Sequence, residues 1–289
     1  MKKFLEIIDE CYRLKNAKLQ YFDYNVGASL IFNIIIKENL YDSYLEIGKG
    51  AGSKLAPFKK TKSKCTLAGQ GVTLSDLILC KNKTTIDIQR RFNPDYVMSS
   101  EEFFKHARKN KIPKYDFIHG LNAAVDYDTF KKSVYDSIEF LSNNGTLICD
   151  FADPKGKIWV RPLSQKHSHS MPAGMSGKWI GQVWKVLVEI QYDISLDVDV
   201  TIIRNDNHAV VSDDGNFYPG GFVHGMAIIR KKNGKVFNSR SFNKKFLDYD
   251  YYERNKNEIM NMISLQEFFE KYLKHDQGIQ SSIDHWSKK

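Results

Sequence analysis

The chain has 289 residues, 42% hydrophobic and 13% aromatic, with 43 Lys+Arg against 34 Asp+Glu and a formal net charge of +9. That apolar content excludes a disordered polymer, and no apolar run reaches the roughly 18–20 residues of a membrane span. The lysines are spread along the chain, with one dense segment at 54–64, so nucleic acid is not the expected partner. Cys11, Cys65, Cys80 and Cys149 lie far apart without a Cys-x-x-Cys pair, which fits four reduced thiols rather than a zinc site or a disulfide framework. Glu6, Asp9 and Glu10 interrupt what would be the apolar centre of a leader peptide, so a cytoplasmic protein is expected.

In chain order, helical periodicity covers residues 3–20 and then Ala28–Asn39, where Leu30, Ile31, Ile34 and Ile35 share a face. Residues 1–40 are read as a helical cap. Ser43–Gly48 is a short apolar strand ending in glycine. A basic insertion at 54–83 follows, with a short helix near Leu74–Leu79. Thr84–Gln89 is β-branched and strand-like. Tyr96–Ser99 is a short strand running into a helix, with Ser99 or Ser100 as N-cap and Glu101 and Glu102 in the first turn. Tyr115–His119 is a strand, Tyr127–Leu141 a helix, and Asn143-Asn144-Gly145 a turn into the strand Thr146–Asp150, where Cys149 is a core residue. Residues 154–178 have no period and read as a lid-like loop. Trp179–Gln191 is helical, with Trp184 in the core. Val198–Arg204 and Met226–Lys231 are the last strands, and Leu265–Leu273 is a closing helix. The alternation predicts one α/β domain over residues 1–289, a mostly parallel sheet with helices on both faces.

One motif carries chemistry. Glu46-Ile47-Gly48-Lys49-Gly50-Ala51-Gly52 has the form acid-x-Gly-x-Gly-x-Gly directly after the first apolar strand. A turn without side chains lets a cofactor approach the backbone at the strand's carboxyl end. A dinucleotide fingerprint, Gly-x-Gly-x-x-Gly, would need glycine at 53 or 55, where Ser53 and Leu55 stand. Asp87, at the end of the next strand, is the candidate for gripping ribose hydroxyls. Asn93-Pro94-Asp95-Tyr96 differs at Asp95 from the Asn-Pro-Pro-Tyr of amino-group methyltransferases, and lies between the wrong strands to serve as that motif.

Further segments, taken in order, resemble a bacterial group of class I S-adenosylmethionine-dependent methyltransferases associated with saccharide modification. They are residues 31–52, Met98-Ser99-Ser100-Glu101-Glu102-Phe103-Phe104, residues 115–150, Gly181-Gln182-Val183-Trp184-Lys185, and 252–273 as a closing helix. The resemblance implies a Rossmann-like fold with a seven-stranded, mostly parallel sheet and an antiparallel C-terminal strand. It implies S-adenosylmethionine bound by Glu46, Gly48, Gly50, Gly52 and Asp87, with Ser99 and Ser100 near the adenine and Asp116 at the fourth strand. The chain departs from the group's pattern at Asp116-Phe117-Ile118-His119-Gly120-Leu121-Asn122, where an inner aspartate is missing and Asn122 replaces a histidine. Cys149-Asp150 stands where the group has His-Asp.

Methyl transfer to a hydroxyl needs a positioned acceptor and removal of its proton. His119 is the expected base, since histidine titrates near neutrality, and Asp150 the second candidate. Asp150 and Asp153 are also the candidate ligands for Mg²⁺. His167 and His169 fit a lid better than a metal pair, and His224 is a candidate for flanking the pocket. The expected activity is methyl transfer to a saccharide or sugar nucleotide. An RNA methyltransferase and a non-catalytic Rossmann-like binding protein are the alternatives.

Overall fold

The computed structural model describes residues 24–49, 73–120, 126–150, 152–154, 156–160, 181–204, 209–211, 217–219, 225–232 and 241–272. In chain order the helices are α1 (Tyr24–Asn39), α2 (Leu74–Leu77), α3 (Ser100–Asn110), α4 (Tyr127–Glu139), α5 (Val183–Tyr192), α6 (Tyr249–Ile259) and α7 (Leu265–Tyr272). The strands are β1 (Ser43–Ile47), β2 (Asn82–Asp87), β3 (Tyr96–Val97), β4 (Tyr115–Gly120), β5 (Leu141–Asp150), β6 (Val198–Ile203), β7 (Ala209–Val211), β8 (Phe217–Pro219), β9 (Met226–Lys231) and β10 (Asn261–Ile263).

Eight strands form one sheet in the order β10-β6-β9-β5-β4-β1-β2-β3, and β7 pairs with β8 in a separate ribbon. The pairs β1–β2, β1–β4, β2–β3, β4–β5 and β6–β10 are parallel. Within this sheet, among the described residues, β9 is the strand that runs antiparallel to its neighbours, β5 and β6. The Rossmann-like α/β fold expected from the sequence is therefore the one observed, with three corrections among the described residues. The sheet has eight strands rather than seven, and the antiparallel strand is not the last. Residues 252–273 are not one closing helix but α6, β10 and α7 in succession.

Period-two alternation divides the core into two layers. Leu45, Ile47, Ile118, Leu147, Cys149, Ala227 and Ile229 face the layer built with α3, α4, α5 and α6. Tyr44, Phe117, Ile148, Met226 and Ile228 face the layer built with α1, α2 and α7. In α1, Ile31, Phe32, Ile34, Ile35 and Ile36 are all buried, so this helix is enclosed on more than the single face the sequence pattern marks. Of the two caps the sequence offers, Ser99 and Ser100, it is Ser99 that caps α3, through a reciprocal pair with Glu102. Trp184 is a core residue, its ring centroid 4.6 Å from that of Tyr252. No helix among the described residues is long and apolar enough to cross a membrane.

The chain leaves β1 toward β2 on one side and finds β4 on the other. That reversal makes a crevice at the carboxyl ends of β1 and β4, where open α/β sheets bind ligands.

The start of β9 is pressed against the exit of β5. Gly225 has φ +74, and a Cβ there would lie 2.6 Å from Asp153 Cβ and 2.9 Å from the Ile203 carbonyl oxygen. Left-handed backbone and lack of space act together, so Gly225→Ala is expected to lower unfolding stability by about 2 kcal/mol or more, read as a shifted urea midpoint at unchanged slope.

Candidate functional site

Three ionisable side chains meet at the crevice. Glu46 and His119 are register partners across β1 and β4, and Asp150 closes β5 beside them. All three are buried, His119 completely. His119 Nε2 lies 2.8 Å from Asp150 Oδ2, and the carboxylate accepts its N–H. The Phe32 ring of α1 covers the imidazole at 4.9 Å between centroids. The strands' alternation puts Glu46 and His119 on the α1 face together with Tyr44 and Phe117.

Burial pushes the Glu46 carboxyl up to about 7, while His119 and hydrogen bonds from Ser75 pull the other way. Glu46 Oε2 and Asp150 Oδ1 have no hydrogen-bond partner among the described residues. Two buried acceptors left open at one crevice mark a place for a donor or a cation.

Beside Glu46 the chain turns at Gly48, whose φ of +86 suits glycine. The Gly48 and Lys49 N–H groups both donate to the Ile86 carbonyl, at 2.8 and 3.2 Å. This ties the turn to the end of β2, where the buried Asp87 accepts Gln89 N–H at 2.7 Å. Met98 N–H donates to the Asp87 carbonyl, which brings Ser99 and Ser100 next to Asp87. The Ser99 hydroxyl is already engaged by Glu102. Gly50, Gly52, Asn122, His167, His169, His224 and residues 54–64 lie outside the described residues.

Two candidates from the sequence are not brought to this site. Asp116 sits at the amino end of β4, away from the crevice. Burial raises its carboxyl, but hydrogen bonds from Ser142, Asp42 and Ser43 outweigh this and hold it below the usual range. It is a staple between the entries of β1, β4 and β5. Asp153 is fully buried with Lys256 Nζ at 2.8 Å, so it and Asp150 serve different partners. Among the described residues no group of three or more His, Cys, Asp or Glu could hold a metal ion, and of the two acids considered for Mg²⁺ Asp153 already pairs with Lys256. Asp95 is likewise structural, its carboxylate taking the Thr85 N–H and hydroxyl at 2.7 and 2.8 Å.

Ser75, Phe32 and Lys256 are contacts that sequence reasoning missed. Ser75 lies within the segment 54–83 read as an insertion, Phe32 lies within an apolar helix, and Lys256 is one cation among many, so none carries a local signal.

No family model matches the sequence, and no curated protein matches it. Among solved structures, an O-methyltransferase from Bacillus cereus in complex with S-adenosylhomocysteine is similar, with 11% identity over 78% of this chain and 91% of that one and a TM-score of 0.41. The N-methyltransferase NodS from Bradyrhizobium japonicum is similar with 13% identity over 73% and 97%, at a TM-score of 0.39. At that level of overlap, acceptor and chemistry have to come from this chain's own residues.

Glu46 links the site to stability. With its carboxyl near 7 in the folded protein against an ordinary 4.5, the folded state holds more protons between those values, and stability falls as pH rises through the window. Glu46→Gln removes that loss. At about 1.4 kcal/mol per unit, the variant is expected to be more stable than the parent by up to about 3 kcal/mol at pH 8. At pH 4.5 most of that relative gain is expected to vanish, as checked by urea unfolding at both values.

Proposed function

We propose that this chain transfers the methyl group of S-adenosylmethionine to a hydroxyl of a small polar acceptor, a saccharide or sugar nucleotide. The observation that carries the reading is the Gly48 turn, set between the buried carboxylates of Glu46 and Asp87 at the ends of adjacent parallel strands. A backbone without a side chain there leaves room for a nucleoside to lie across β1 and β2. Asp87 would grip its ribose hydroxyls with two acceptor oxygens, and Ser99 and Ser100 lie where the base would fall.

Charge favours this cofactor over a dinucleotide. A pyrophosphate is anionic and gains nothing from two buried acids, whereas S-adenosylmethionine carries an ammonium and a sulfonium. Glu46 Oε2 is an open buried acceptor on a carboxyl that ionises close to neutrality, and it suits the ammonium. Once bound, the cofactor would supply a methyl group activated by the positive sulfur.

The chain's own residues handle the acceptor proton. His119 is enclosed and spends Nε2 on Asp150, so the acceptor side falls to Asp150, whose Oδ1 is open. Asp150 would accept the hydroxyl hydrogen bond and take the proton as oxygen attacks the methyl carbon, while His119 fixes the second carboxylate oxygen. This reverses the order expected from sequence, in which His119 is the first candidate. The saccharide class follows from the resemblance at residues 98–104 and 181–185.

Titration calorimetry with S-adenosylhomocysteine is expected to show binding, weakened at least tenfold, as an order of magnitude, by Gly48→Val or Asp87→Ala. The reading is abandoned if the folded protein binds neither the product nor S-adenosylmethionine. Binding near pH 7 is also expected to release a proton as Glu46 ionises. That release appears as a dependence of the apparent enthalpy on the buffer's ionisation enthalpy and is absent in Glu46→Gln. Asp150→Asn is expected to lower kcat by roughly 10²–10⁴ with cofactor affinity unchanged.

A further inference from the structure

Beyond the crevice, one buried ion pair stands close to the reacting end of β5. Asp153 is fully buried, and Lys256 Nζ, itself largely buried on α6, lies 2.8 Å from its Oδ1. The same ammonium donates to both Glu253 oxygens, at 3.2 and 3.3 Å. Tyr249, a turn earlier on the helix, donates to Glu253 at 3.1 Å and to the Pro154 carbonyl at 3.4 Å. One face of α6 therefore holds residues 153 and 154 by side-chain bonds.

The opposite side is held by β9. Asp150 is the register partner of Met226, Ala152 N–H donates to the Gly225 carbonyl at 3.4 Å, and Gly225 has no space for a Cβ against Asp153. Asp150 and residues 152–154 are thus held between the start of β9 and α6.

Stability alone gives a poor account of this clamp. Burying an ammonium and a carboxylate costs as much solvation as the pair returns, and an apolar pair of similar volume would hold the helix as well. Helix α6 already docks through buried Tyr252 and Ile259. What the ion pair adds is direction, because a charged hydrogen bond fixes where the Asp153 backbone sits. Three residues upstream is Asp150, whose two oxygens must face His119 and the crevice at once.

We infer that Lys256 is a positioning residue for the proposed reaction: through Asp153 it fixes the β5 exit so that Asp150 meets His119 with one oxygen and the acceptor with the other. The inference rests on the methyl-transfer reading for its kinetic consequence, but not for its structural one. Among the described residues, Asp153 and Glu253 face Lys256, with Tyr249 and Tyr252 beside those two carboxylates, and His119, Tyr44 and Cys149 lie around Asp150.

The test uses the full chain with Lys256→Met and Lys256→Arg. Two readouts are taken: the downfield proton NMR resonance of the His119–Asp150 N–H, assigned by its loss in His119→Gln, and kcat against KM for methyl transfer. Lys256→Met is expected to unfold cooperatively and bind S-adenosylhomocysteine within about twofold of the parent. It should lose or broaden the resonance and drop kcat by about tenfold or more, since small misplacements of reacting groups are costly. Lys256→Arg, which can still pair with Asp153, should restore both. If Lys256→Met does not fold, Asp153→Asn/Lys256→Met removes both charges together and should show the same loss of the resonance. An unchanged resonance in a folded Lys256→Met or double variant overturns the inference. Should the parent transfer no methyl group, the functional reading fails on its own, and the resonance still decides the role of Lys256.

Discussion

A carboxylate, an imidazole and a second carboxylate buried side by side where β1, β4 and β5 end are the constraint on which the rest of the structure turns. Buried charge is tolerated only when paired or hydrogen-bonded, and here the pairing among the described residues is incomplete by one oxygen on each acid. Asp150 is satisfied on one side by His119, and Glu46 by Ser75. The two remaining acceptors define the polarity of the crevice, one at the end of β1 and one at the end of β5. The proposed cofactor, a cationic nucleoside, and the proposed acceptor hydroxyl would meet those two demands together.

The surrounding fold keeps these groups in place. Parallel register sets Glu46 opposite His119, and α1 roofs the imidazole with Phe32. Asp116 staples the far ends of the same three strands through Ser43 and Ser142, so the register is held at the amino edge while the candidate site lies at the carboxyl edge. Past Asp150 the chain is gripped by Gly225 and Lys256. Stapling one end and clamping the other is a way to fix side-chain directions at a sheet edge, where loops would otherwise decide them.

Much of the site is legible in the sequence because its signals are local. Glycine after a short apolar strand, an acid before it and another at the next strand's end are each set by neighbours within a few residues. The Ser99 cap is similarly local, a hydroxyl and a carboxylate three residues apart. Asp116, Asp153 and Asp95 show where such reading stops. Each is an acid near a strand end or in a familiar tetrapeptide, yet each is consumed by a distant or lateral partner. Residue type and spacing are blind to which end of a strand faces the crevice and to which cation arrives from another helix.

The sequence by itself determined the α/β alternation, the Gly48 turn and the identity of Glu46, Asp87, His119 and Asp150, since periodicity, backbone freedom and acid–base type are properties of short segments. Only the tertiary structure decided that β9 would run antiparallel between β5 and β6 and that residues 249–272 would split into two helices around an eighth strand. It also joined His119 to Asp150 across 31 residues and brought Lys256 across 103 residues to Asp153. Those outcomes depend on which apolar faces must be covered and which buried charges must be neutralised, and both are settled between elements far apart in the chain.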